Sequence, residues 1–146
     1  MQISDLLQNR LIVNSLAAWA AAQIIKTIIY AIAHKELNWE RLFGDGGMPS
    51  GHSATVTALA VTAGLEYGLS SAAFAISGIL AIVVMHDATG VRLEAGKHAK
   101  ALNELMDLVI SEDLSPDDKL KELLGHTPLQ VLLGAALGFV TALMLR

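Results

Sequence analysis

The chain has 146 residues, 53% of them hydrophobic and only 16% charged, with a mean hydropathy of +0.52. A soluble domain of this length needs more polar surface, so the composition points to a membrane, and the length to one domain over 1–146. The formal charge of −4 leaves no basic footprint for nucleic acid, and the lack of cysteine excludes disulfides, thiolate metal sites and cysteine nucleophiles.

The opening Met1-Gln2-Ile3-Ser4-Asp5 has no basic n-region and no evident cleavage site, so no removable signal peptide is expected. Residues 11–33 are long and apolar enough for a transmembrane helix. Two shorter apolar stretches, 50–69 and 70–86, are parted by the break Glu66-Tyr67-Gly68-Leu69-Ser70-Ser71 and read as an antiparallel hairpin of two spans. A fourth span is expected over 127–145. Between the third and fourth lies a polar insertion, 87–126. In it Val91, Ala95, Ala99, Leu102, Leu105, Met106 and Val109 fall near helical spacing. That pattern predicts an amphipathic helix, either lying at the membrane interface or packed against the bundle. Ser115-Pro116 then signals a turn and a short helix. The expected fold is all-α: an integral membrane bundle of about four transmembrane helices, with an amphipathic interfacial helix between the third and fourth. Gly134-x-x-x-Gly138 permits close helix contact, within the chain or in a homodimer.

With four spans, loops 34–49 and 87–126 share one membrane face. They hold Lys35, Arg41, Arg92, Lys97, Lys100, Lys119 and Lys121, seven of the ten basic residues. The positive-inside tendency places this face in the cytoplasm, with the cell membrane as the expected location.

Several polar groups converge on that face. Lys26 sits inside the first span, where an ionisable group is costly and is read first as functional. Gln23, Lys26, Thr27 and Tyr30 follow i, i+3, i+4, i+7 spacing and form one inward stripe. The start of the second span brings Ser50, Gly51 and His52, and the end of the third brings His86, Asp87 and then Arg92. The start of the fourth brings His126, with Thr127 as N-cap and Pro128 at the first helical position. Free N–H groups at two helix starts beside a lysine and one or two arginines, Arg41 and Arg92, suit an anion, and phosphate is the natural occupant. Asp87 is expected either to pair with Arg92 or to act as an acid near the site.

The tetrapeptide Pro49-Ser50-Gly51-His52 resembles the central signature of the type 2 phosphatidic acid phosphatases, relatives of the vanadium haloperoxidases. With "AAQIIK" around Lys26, "GGMPSGHSA", "HDATGVRLEAGKHAKALNEL" and "LGHTPLQVLLGAALG", the chain is similar to a small divergent branch of that superfamily from Ala21 to Gly138. The resemblance implies that Lys26, Ser50 and Gly51 bind phosphate, with an arginine such as Arg41 or Arg92. It implies that His52 is the general acid and His126 the nucleophile. Three positions depart from the superfamily pattern. Ala33 stands where an arginine is expected, Leu120 where a second one is expected, and Gln130 replaces the aspartate that orients the nucleophile. The implied activity is metal-independent and cofactor-free hydrolysis of a lipid phosphate or a prenyl or lipid diphosphate, through a phosphohistidine. The alternative is a non-catalytic membrane protein that binds or translocates a phosphorylated lipid.

Overall fold

A computed structural model describes residues 3–36, 47–109, 119–120 and 125–146. Arg41 and the turn expected after Ser115 lie outside the described residues. The elements are α1 (Ile3–Gln8), α2 (Arg10–His34), α3 (Gly51–Tyr67), α4 (Ala72–Thr89), α5 (Val91–Val109) and α6 (Pro128–Met144). No strand occurs among the described residues.

The helix boundaries follow local chemistry. Asn9 caps α2 by accepting from Leu11 N–H, Ser50 caps α3 through Ser53 N–H, and Ser71 caps α4 through Phe74 N–H. Gly68, at φ 83°, ends α3 where a side chain would be strained. α4 runs three residues past the apolar stretch that predicts it, because Ala88 and Thr89 extend the helix and the Thr89 hydroxyl bonds back to Met85 O at 3.0 Å. The break to α5 is Gly90 alone. α1 was not expected: Ile3–Gln8 is too short to show a period.

α3 is the central helix, packed against α2, α4 and α6. Its sequence explains that place. Ala54, Ala58, Ala60, Ala63, Ser53 and Thr62 are all buried, so three neighbours can approach closely. One cluster joins Ala54 and Ala58 to Ala18, Ala22 and Ala142; another joins Val56 and Ala60 to Ala81. Gly134 and Gly138 of α6 lie directly on the carbonyls of Ser50 and Ala54. The small-residue pair is thus used inside the chain.

The size gradient is inverted relative to a soluble protein. The largest fully buried side chains among the described residues are Thr62, Ser50 and Ser53, while Ile24, Ile28, Ile32, Ile76, Ile79, Leu132 and Phe139 face outward. Apolar surface of this extent on the outside, with small and polar side chains within, is the arrangement of a bundle in lipid. Arg10–His34 and the apolar run beginning at Ala72 meet the length and hydropathy of membrane spans, and Pro128–Met144 is a shorter apolar helix. The protein is an all-α membrane bundle. At one end Arg10 pairs with Glu66 at 2.9 Å, and Asn14 donates to Thr62 at 3.1 Å one turn deeper. The other end carries the candidate site.

Candidate functional site

Four helix ends meet at that second end. Lys26 of α2 lays its Cγ and Cδ against Gly47, about 3.3 Å from where a Cβ would stand. Gln23, one turn below, reaches Gly51 together with Trp19. Of the expected polar stripe, Gln23 and Thr27 are buried and Lys26 and Tyr30 half-buried. Tyr30 stacks on His34 with ring centroids 4.1 Å apart, continuing the stripe to the helix end.

Ser50 is fully buried at the start of α3. Its Oγ accepts from Ser53 N–H at 3.3 Å and from the Ser53 hydroxyl at 3.0 Å, which leaves its own proton to donate elsewhere. The N–H groups of Gly51 and His52 have no helical acceptor, as expected in a first turn. The hydroxyl and two amides thus stand at one helix start, with the Lys26 stem against Gly47 four residues before it, an arrangement that suits an anion.

The start of α6 differs from expectation. Thr127 N–H donates to Gln130 Oε1 at 3.0 Å and Gln130 N–H to Thr127 Oγ1 at 3.4 Å, closing a capping box. Pro128 has no N–H, and His126 N–H donates to Ala88 O at 2.8 Å. The donors once expected from this helix start are largely used within the protein. α6 contributes an imidazole instead.

His126 is 5% exposed, and its Nδ1 lies 3.3 Å from Gln130 Oε1. A carbonyl oxygen only accepts, so this contact calls for a proton on Nδ1. The same oxygen therefore caps α6 and fixes the tautomer of His126. His52 is exposed, with its ring centroid 6.2 Å from that of His126 and the planes tilted by 55°. Two further contacts hold the histidines in register. Ser50 N–H donates to Gln130 O at 3.0 Å, and Gly125, at φ 81°, packs on the backbone of Arg92 and Leu93, where no side chain fits.

Asp87 and Arg92 are half-exposed and exposed, and they pair with each other at 2.6 Å. Of the two roles open to Asp87, the structure displays the pairing. Arg92 uses Nε for this contact and has four other N–H donors. Leu120, at the position of a missing arginine, is exposed and is held by its backbone to Asn103. Thr127-x-x-Gln130 is a capping-box spacing, so the sequence carries a signal for the cap but none for the contact of Gln130 with His126.

The sequence profile of the Divergent PAP2 family matches residues 7–141. The chain is also 42% identical to the "Uncharacterized membrane protein YuiD" of Bacillus subtilis (strain 168), over 97% of this chain and 96% of that one. No solved structure gives a significant match. Helices α2 to α5 and all but the last three residues of α6 fall within the matched span, the site among them, and the chain belongs to the Divergent PAP2 family.

Proposed function

We propose that this protein is a membrane-embedded phosphohydrolase acting on a lipid phosphate or a prenyl or lipid diphosphate, through a phosphohistidine. The observation that carries the reading is the pair His126 and His52, one sheltered with its tautomer set by Gln130, the other open to water 6.2 Å away. A phosphoryl group bound by one ring lies within hydrogen-bond reach of the other, about 3 Å. His126 Nε2 attacks phosphorus as the bond to the leaving oxygen breaks, and protonated His52 gives that oxygen its proton. Neutral His52 then takes a proton from water, the new P–O bond forms, and the Nε2–P bond breaks to release phosphate. Lys26, the Ser50 hydroxyl, the Gly51 and His52 amides and the spare donors of Arg92 stabilise the charge that builds on the phosphoryl oxygens. A site at the membrane face suits a substrate whose tail stays in lipid. The cell membrane, with the site toward the cytoplasm, is the location we propose from the basic loops.

A binding protein without turnover is favoured by one observation, the neutral amide of Gln130 in place of a carboxylate. Translocation draws less support, because the alanine cluster of α2, α3 and α6 closes the core beneath the site. The test is phosphate release from a panel of lipid phosphates by purified protein in detergent. Loss of release in both His126→Ala and His52→Ala is expected. Release that persists in both would overturn the assignment, and tight binding without release by the unaltered protein would establish the second reading.

A further inference from the structure

We propose that the bilayer surface is itself a partner of this site: the apolar stripe of α5 is seated in the lipid–water interface, and that seating sets the position of His126. The regulatory meaning rests on the hydrolase reading above; the surface and its link to His126 rest on contacts alone. Along α5, Val91, Leu102, Leu105 and Val109 are 71%, 49%, 56% and 79% exposed and share one face. The helix packs by a different strip, Gly96, Ala99 and Asn103, all buried. So the strip that α5 buries is not the one that carries Val91, Leu102, Leu105 and Val109, which stays exposed with His98 among them.

Continuity says what covers it. α5 begins one residue after α4, whose Ile76, Ile79, Leu80, Ile82 and Val83 face outward in the lipid-facing surface of the bundle. Val91, two residues past the end of α4, is exposed like them. The polar side of α5 carries exposed ion pairs, Lys97–Glu94 at 2.7 Å and Lys100–Glu104 at 3.9 Å, as a water-facing side should. The hydrogen bond and charge of Lys97 hold the Glu94 carboxyl below its usual range, keeping it ionised there. Arg92, Lys97 and Lys100 balance Glu94, Glu104 and Asp107 within the helix. Seating therefore needs apolar burial rather than anionic lipid.

The link to His126 runs through the start of α5 and the elbow before it. Asn103 holds Leu120 at both its N–H and its carbonyl, each at 2.9 Å, and Lys119 pairs with Asp107 at 2.9 Å. Gly125 sits on the backbone of Arg92 and Leu93, and His126 N–H is bonded to Ala88 O. His126 is thus held by the elbow between α4 and α5. Leu93 to Leu105 spans about 18 Å of helix, so a tilt of α5 moves the Arg92–Leu93 backbone on which Gly125 rests.

The chain has no cysteine, which allows single labels. The experiment places a nitroxide on Leu105→Cys in phosphatidylcholine vesicles and measures collision with oxygen and with a nickel chelate. It also follows, by mass spectrometry, the modification of His126 by diethyl pyrocarbonate in the variant Leu102→Gln/Leu105→Gln/Val109→Gln. Oxygen access should exceed nickel access at position 105. Modification of His126 should quicken by about fivefold or more, the lower edge of ordinary site-to-site coupling, while Glu104→Gln leaves it unchanged. Single Leu105→Gln, checked for native helix content, should move it the same way if the triple variant fails to fold. Nickel access at 105, or spin–spin broadening from a second copy, would overturn the bilayer as the occupant. An unchanged His126 in a folded stripe variant would overturn the link. Neither readout uses a substrate, so failure of the wild-type protein to hydrolyse lipid phosphates would sink the enzymatic reading alone.

Discussion

One oxygen, Gln130 Oε1, serves both the helix cap and the tautomer of His126, and it is neutral. In a Ser-His-Asp site, replacing the aspartate by its amide costs roughly 10⁴ in turnover, chiefly by disturbing tautomer and imidazolium stabilisation. For the proposed hydrolase, the contact of His126 with Gln130 supplies a tautomer-setting acceptor without the charge, so only part of that loss is expected. Gln130→Glu keeps a capping-box side chain at the third helical position and adds the missing charge. We expect it to raise single-turnover phosphorylation by about tenfold, or 1.4 kcal/mol of barrier, measured by rapid quench. A rate that falls, with the fold intact, would show that a carboxylate does not suit this pocket. Gln130→Ala loses the cap as well and should lower stability by about 1 kcal/mol.

Helix α6 reaches the site only because Gly134 and Gly138 let it lie on α3. A methyl at Gly138 would press on the carbonyl of Ala54, where backbone has little room to yield. Gly138→Ala should therefore cost about 1–3 kcal/mol, as overpacking does, seen as a lower thermal midpoint in detergent. An unchanged midpoint would mean that the two helices separate freely. At this scale the sequence was legible where periods and caps are local. The span over 11–33 became α2, the break at Glu66–Ser71 became the turn between α3 and α4, and Thr127-Pro128 opened α6. The pairing of Asp87 with Arg92 was open as one of two readings. The grip of Asn103 on Leu120 was illegible, because an asparagine seventeen residues from its partner looks like any polar residue on an amphipathic helix. The dual use of Gln130 was hidden for a related reason: comparison with a motif registers the lost aspartate, not what the replacement holds. Lys26 was named from its place in a span, and Ser50, Gly51, His52 and His126 from helix starts on one face, and the structure gathers them at one end of the bundle.

For the whole molecule, α2 begins and α6 ends at the end of the bundle opposite the site. Proposed orientation can be read with one label. Lys97→Cys lies on the exposed side of α5, and an impermeant maleimide added to intact cells should leave it unmodified until the membrane is broken. Ready labelling from outside would reverse the orientation. The interior described above, alanine and serine within and isoleucine without, has a further consequence for how mutations report on this protein. Truncation to alanine deletes almost nothing from such a core, so an alanine scan would pass over the residues that hold the bundle and register chiefly the polar ones. The informative scan is the opposite one, toward leucine. Its losses should trace Ala18, Ala22, Ala54, Ala58 and Ala142 as a single seam, drawing by enlargement the map that truncation draws in a water-soluble fold.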